Sequence, residues 1–233
     1  MNPGNPLRHG IRHHADLEQG SDAWMQARCG VLTASEMKLI LTPTLKPAAN
    51  DKERTHLYEL LAQRITGHVE PHYVSDDMLR GREDEIEARA LYAGRYAPVD
   101  ECGFITNDQW GFTLGYSPDG LVGTDGLIEC KSRRQKFQVE TIIGGVCPAD
   151  YVMQVQTGLL VTGRAWLDFI SYSGGLPMMT VRVLPDPVIQ AAIVGAAGAF
   201  EERLLDKWDA YNLASVGGRT IPTERRVELE MHL

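Results

Sequence analysis

The stretch Ser117-Pro118-Asp119-Gly120, followed by Ile128-Glu129-Cys130-Lys131, gathers two carboxylates and a lysine in a short span. Side chains on a strand alternate faces, so Glu129 and Lys131 point one way and Cys130 the other. A hairpin-like return after the Gly120 turn would set Asp119 beside Glu129. Two carboxylates aimed at one point repel unless a cation joins them, and oxygen ligands of this type select Mg²⁺ or Mn²⁺. A lysine two residues on can orient or help deprotonate a water beside that metal, or offset charge developing on a phosphate. The bland alternative is a turn at Pro118-Asp119-Gly120 with an exposed Glu/Lys face.

Two helical stretches bear on this set. Met78 to Arg89 carries the acidic cluster Glu83-Asp84-Glu85, which can supply a third carboxylate; Glu85 can equally form an i,i+4 pair with Arg89. Tyr151 to Gln156 follows the strand region that carries Glu129 and Lys131, with Val152, Val155 and Leu159 on an apolar face and Gln154 off it, available to a water or a phosphate.

The elements that must position these groups change period along the chain. Ser21-Asp22 caps a short helix through Arg28, and Thr33-Ala34-Ser35-Glu36 opens a further turn. Thr42 to Asn50 is a loop. Glu53 to Thr66 is helical with Gly67 as its stop, and Ser75-Asp76 caps a long helix from about Asp77 to Ala93. Cys102–Thr106, Phe112–Tyr116 and Leu127–Lys131 then read as strands. A helix over Gln135–Ile143 and another over Tyr151–Val161, capped by Asp150, precede strands at Ala165–Tyr172 and Met178–Val183. Asp186-Pro187 opens a helix to about Tyr211. This order predicts a mixed α/β domain, not a doubly wound repeat. Residues 1–20, with His9, His13 and His14, read as a tail, residues 21–213 as the domain, and 214–233 as a C-terminal tail.

The 233 residues, 43% hydrophobic and 23% charged, suit one soluble domain. No apolar run approaches a membrane span, and Met1 to Pro6 has no apolar signal region, so the expected address is the cytoplasm. Cys29, Cys102, Cys130 and Cys147 are scattered without a C-x-x-C pair, which disfavours zinc or iron–sulfur sites. The net charge of −8 is unusual for a nucleic-acid binder as a whole. Local distribution decides where a polyanion sits, and a carboxylate metal site itself adds negative charge.

Taken together, Gly20-Ser21-Asp22-Ala23-Trp24, Arg28, Gly30 to Glu36, Gly81 with Glu85 and Ala88-Arg89, Ser117 to Gly120, Glu129 to Lys131, and Tyr151 with Gln154 to Gln156 stand in the order of one family. From about Gly20 to Tyr172 the chain resembles the lambda exonuclease-like, or YqaJ-type, viral recombinases of the PD-(D/E)XK nuclease superfamily. The resemblance implies a restriction-endonuclease-like fold, a central mixed β-sheet flanked by α-helices. It implies a processive, Mg²⁺-dependent 5′→3′ exonuclease on linear double-stranded DNA, leaving 3′ single strands for strand annealing. Asp119 and Glu129 would hold Mg²⁺ with the Cys130 carbonyl, Glu85 would serve a second metal or its waters, Lys131 would position and activate water, and Gln154 would support that water or the phosphate. Arg28, Ser35 and Ser117 match the family's pocket for a terminal 5′ phosphate. Arg80, Arg82, Arg133, Arg134 and Lys136 are candidates for DNA-backbone contacts, and the Lys46 loop and Met78 or Leu79 for strand separation. Asp108 is the approximate match to one further acidic ligand. The family also implies a homotrimer ring, a single-strand annealing protein as partner, and a phage or prophage origin. Two other readings are a PD-(D/E)XK endonuclease and a non-catalytic DNA-end-binding module.

Overall fold

A computed structural model describes residues 10–70 and 75–225. His9 and the last eight residues of the C-terminal tail lie outside the described residues.

The described strands form two four-stranded sheets. In the first, β1 (Ile11–His14) runs antiparallel to β3 (Phe104–Asn107), β3 antiparallel to β4 (Leu114–Tyr116), and β4 parallel to the two-residue β2 (Leu32–Thr33). In the second, β5 (Gly120–Val122) and β6 (Gly126–Ser132) form a hairpin, β6 runs parallel to β7 (Trp166–Tyr172), and β8 (Met179–Val183) closes the far edge antiparallel to β7. Parallel strands need a crossover. Here it is α5 (Gln135–Gly144) followed by α6 (Ala149–Thr162). The expected mixed α/β fold is therefore present, its strands divided between two sheets.

Burial explains why β6 can hold charge in a fixed place. Gly126 to Cys130 are all buried. Ile128 and Cys130 pack with Ala88 and Tyr92 of α4 (Asp76–Arg95), whereas Leu127 joins the larger core on the opposite face. That larger core draws Met37 and Ile40 from α2 (Met37–Ile40), Leu57 and Leu60 from α3 (Asp51–Thr66), Val155 and Leu159 from α6, and Ile193 and Phe200 from α7 (Pro187–Gly217). A strand covered on both faces has little freedom to shift register.

Local chemistry sets most of the boundaries. The Ser21 side chain accepts from Trp24 N–H at the start of α1 (Asp22–Arg28), and Asp186 accepts from Val188 and Ile189 at the start of α7. Glu36 closes a capping box with Thr33 around the 3₁₀ turn Ala34–Glu36. Gly67 ends α3 in the left-handed conformation, as its position predicts.

Several expectations need correction. Residues 1–20 are not simply a tail: Ile11–His14 add a strand to the first sheet, pairing with β3. Its Arg-His-His run is largely exposed and carries no apolar alternation, so pattern reading passes over it. Asp150 is not the cap of α6; Pro148 is, and Asp150 lies in the first turn, where its charge favours the helix N-terminus. The last helix runs on to Gly217.

Candidate active site

The hairpin register places Gly120 opposite Ile128, so Asp119 stands beside the next rung at Glu129. Asp119 Oδ2 accepts from Cys130 N–H at 2.6 Å. Glu129 is 1% exposed and its two oxygens have separate partners. Oε2 accepts from the Tyr116 hydroxyl at 2.7 Å, while Oε1 accepts from Lys131 Nζ at 2.6 Å and from Gln154 Nε2. The strand alternation of Glu129, Cys130 and Lys131 is thus as read from spacing. The Cys130 side chain turns toward α4, so only its main chain can serve the carboxylates.

Burial governs the electrostatics. It pushes the Asp119 carboxyl well above its ordinary range, with the Glu129 charge adding to the effect. Burial also raises Glu85, opposed by Arg89 and reinforced by Glu129. For Lys131, burial works to lower the ammonium, but Glu129 and Asp119 together outweigh it and hold the group above its usual value. Burial likewise raises the Tyr116 phenol and the Cys130 thiol, which keeps both protonated.

Glu85 reaches this region from α4, and the i,i+4 contact with Arg89 exists at 3.9 Å. Arg89 also donates to the Asp119 carbonyl at 3.3 Å and meets Glu101 at 3.1 Å. Glu85 lines two open clefts that meet at α4. One, of about 630 Å³, lies against residues 15–20; the other, of about 1250 Å³, runs past Lys131 and the start of α5.

The proposed end-binding residues come together as well. Arg28 donates to Ser117 Oγ at 3.2 Å and to Thr33 Oγ1 at 3.3 Å, its guanidinium lying 4.3 Å from the Trp24 ring centroid. Trp24 Nε1 also donates to Ser117 Oγ at 3.0 Å. Ser117 Oγ thus accepts from two donors, which leaves its own proton for a ligand. On the other wall, Thr33 gives its single hydroxyl proton to Glu36 at 2.8 Å, so Ser35, 3.2 Å away, must donate to Thr33. A cavity of about 180 Å³ is lined by Arg28, Ser35 and Ser117 together with Asp119, Glu129, Lys131 and Gln154.

The donor set fits a hard divalent cation. Asp119 and Glu129 are buried carboxylates whose mutual repulsion is relieved by only one ammonium, with Glu85 close enough to feel both. Among the described residues no group of three or more His, Cys, Asp or Glu side chains is placed to hold a metal ion.

Other expectations fare differently. Asp108 is drawn away from the site: it accepts from Gly10 N–H at 2.6 Å and Arg12 at 2.7 Å, tying β1 to the end of β3. Arg133 is held between Phe137 and Tyr151, 5.1 and 5.2 Å from their ring centroids, and donates to the Tyr151 hydroxyl. Arg134 and Lys136 are exposed beside it along the larger cleft or at its rim. Arg80, Arg82 and Met78 line the same cleft, while Leu79 is exposed nearby and Lys46 lies on an exposed turn that lines none of these clefts. Sequence reading assigned no role to Tyr116, Thr33 or Glu36. Tyr116 reaches Glu129 from the other sheet, a pairing no local pattern encodes.

Residues 23–165 match the YqaJ-like viral recombinase domain. The alkaline exonuclease LHK-Exo from Laribacter hongkongensis superposes with a TM-score of 0.75 at 32% identity, covering 84% of this chain and 98% of that one. Its complex with dAMP matches at 0.74 and 33% over the same shares. A phage related exonuclease from Haemophilus somnus 129PT shares the fold at a TM-score of 0.55 and 14% identity, covering 76% of this chain and 96% of that one. Comparison with curated proteins returns no match. No described helix is long and apolar enough to cross a membrane. The chain belongs to the YqaJ-like viral recombinase family and has the fold of its exonuclease relatives.

Proposed function

We propose that this protein is a Mg²⁺-dependent 5′→3′ exonuclease that degrades one strand of linear duplex DNA and leaves a 3′ single strand for recombination. The observation that carries the reading is the single cavity shared by Arg28, Ser35 and Ser117 on one side and Asp119, Glu129, Lys131 and Gln154 on the other. A guanidinium and the Ser117 hydroxyl proton suit a phosphate dianion, and the carboxylates lie within one small space of them. An end phosphate seated there brings the first phosphodiester to the carboxylates. Each cut then creates a new 5′ phosphate for the same pocket, which favours processive action.

Asp119 and Glu129 would hold the metal with the Cys130 carbonyl, and Glu85 would serve a second ion or its waters; Mn²⁺ is expected to substitute. When bound, the metal supplies Lewis-acid stabilisation of charge developing on phosphate oxygens. Lys131 holds its proton while Glu129 is unshielded. A bound cation would offset the Glu129 and Asp119 charges that hold this proton against burial, and the amine could then take a proton from the attacking water. Gln154, already beside Glu129 Oε1, orients that water or the phosphate.

Arg134 and Lys136 with Arg80 and Arg82 would contact the DNA backbone along the larger cleft. Arg133 would act chiefly by fixing Tyr151 and Phe137. Met78 or Leu79 would wedge the strands apart. We further propose a homotrimer ring around the DNA, a single-strand annealing protein as partner, and action in the cytoplasm of a bacterial host on behalf of a phage or prophage.

The test is digestion of end-labelled linear duplex beside a covalently closed circle, with Mg²⁺ and with EDTA. Metal-dependent release of mononucleotides from the 5′ end, with the circle spared, supports the reading. A cut circle would move the protein to the endonucleases, and binding without cleavage to an end-binding module.

A further inference from the structure

We infer that Tyr116 is a positioning residue for Glu129, fixing the orientation of its carboxylate by holding one of the two oxygens. This rests on the metal-holding role of Glu129 proposed above.

Tyr116 lies at the end of β4 and is 1% exposed. Its hydroxyl has one proton, and that proton goes to Glu129 Oε2 at 2.7 Å. Lys131 and Gln154 both meet Oε1, and these two side chains line the shared cavity together with Tyr116. The two oxygens are therefore held differently: Oε2 by one buried phenol, and Oε1 by two donors, so that the three together fix the rotation of the carboxylate.

The ring itself is held by an unusual approach of α6. Gly158 is buried on that helix, and a Cβ there would sit 2.8 Å from Tyr116 Cζ and 2.9 Å from Cε1. The helix backbone packs against the ring face only because position 158 has no side chain. Tyr116 thus has its ring fixed by one element and its hydroxyl aimed by another. Outer hydrogen-bond partners of this kind orient ligating carboxylates, and losing one typically weakens metal binding by about 10–100-fold.

The protein also supplies a structural counterpart. On the other face of the second sheet, Tyr92 donates to Asp168 Oδ2 at 2.6 Å, and Arg182 pairs with the same carboxylate. This is a second buried phenol–carboxylate bond, but it lines none of the clefts described above. Removing it should disturb stability without touching the metal.

The experiment compares Tyr116→Phe, Tyr92→Phe, Gly158→Ala and Glu129→Ala in the full-length protein. The Mg²⁺ concentration at half effect is read twice, by Mg²⁺-induced thermal shift and by nucleotide release. Tyr116→Phe is expected to raise both midpoints by about 10-fold or more, and Gly158→Ala, which displaces the ring, to move them the same way. Tyr92→Phe should lower the melting temperature and leave the midpoints unchanged. Unchanged midpoints in Tyr116→Phe, while Glu129→Ala loses its Mg²⁺ response, would overturn the role of Tyr116 alone. An equal shift in Tyr92→Phe would also overturn it, since general loosening would then suffice. A normal Mg²⁺ response in Glu129→Ala would instead overturn the metal-holding reading on which the inference stands.

Discussion

Lys131 Nζ lies 2.6 Å from Glu129 Oε1, the two side chains standing on one face of β6 with Cys130 between them pointing to the other. That short contact is the ground state from which the proposed chemistry starts. Lys131→Ala should lower nucleotide release by at least about 10²-fold, the usual size for loss of a general acid–base group. DNA binding measured in parallel should be retained. Normal cleavage by this variant would remove Lys131 from the mechanism.

Metal and pH should be linked through Asp119 and Glu85. Both carboxyls are raised in the folded protein, chiefly by burial, so the folded state binds protons that the unfolded state has released. Their contribution to metal-free stability is therefore full below about pH 4, the unfolded carboxyl value, and falls as pH rises toward the folded values. A divalent cation offsets the repulsion once the carboxyls are charged. The thermal shift produced by Mg²⁺ should thus be larger at pH 8 than at pH 5.5. Asp119→Asn should raise the metal-free melting temperature at pH 8 and shrink the Mg²⁺ shift. Paired thermal melts with and without Mg²⁺ read both effects.

Arg134 and Lys136 should act as phosphate contacts that carry no sequence information. Alanine at either should weaken duplex binding about equally across sequences and reduce the slope of log K against log salt by about 1 each. Titrations at several salt concentrations check this. An unchanged slope would place the backbone track elsewhere on the cleft.

Arg64 is expected to be the strongest single stabilising contact between α3 and α7. Its two terminal nitrogens donate to Glu201 at 2.7 Å each, and Nε donates to the Gly30 carbonyl at 2.8 Å. Arg64→Ala would strand a mostly buried carboxylate, at a cost of about 2–4 kcal/mol once partial solvent screening is allowed for. Gly30 has a φ of +70°, and a Cβ there would meet Arg64 Cγ at 2.6 Å, so Gly30→Ala should also destabilise. Urea denaturation of both variants provides the measurement.

The spacing of Glu129 and Lys131 was legible because a strand has a period of two: the two had to share a face wherever β6 lay. Asp119 followed from the turn at Gly120. Helices with marked caps, such as α1 with Ser21 and α7 with Asp186, were readable for the same local reason. What escaped depends on distant pairing. β1 is polar and is held by β3, almost a hundred residues away, so no local pattern marks it. Asp108 looked like a ligand by position, yet its nearest cation is Arg12 on that unseen strand. Tyr116 serves Glu129 across two sheets, and Glu36 acts on Ser35 only through Thr33. The resemblance gathered Arg28, Ser35 and Ser117 by their motif positions; the donor directions of their hydroxyls needed the folded geometry.

The central claim is that the end pocket and the carboxylates work on one DNA terminus. The most direct measurement is single-turnover release of the terminal nucleotide from linear duplexes bearing either a 5′ phosphate or a 5′ hydroxyl, by wild type and Arg28→Ala with Mg²⁺. Wild type should prefer the phosphorylated end and remain bound through successive cuts. Arg28→Ala should lose that preference, by about 10-fold or more for a charge-assisted contact to phosphate, and dissociate sooner, with its rate on the hydroxyl end little changed. Equal rates on the two ends by wild type, or an intact preference in Arg28→Ala, would contradict the account.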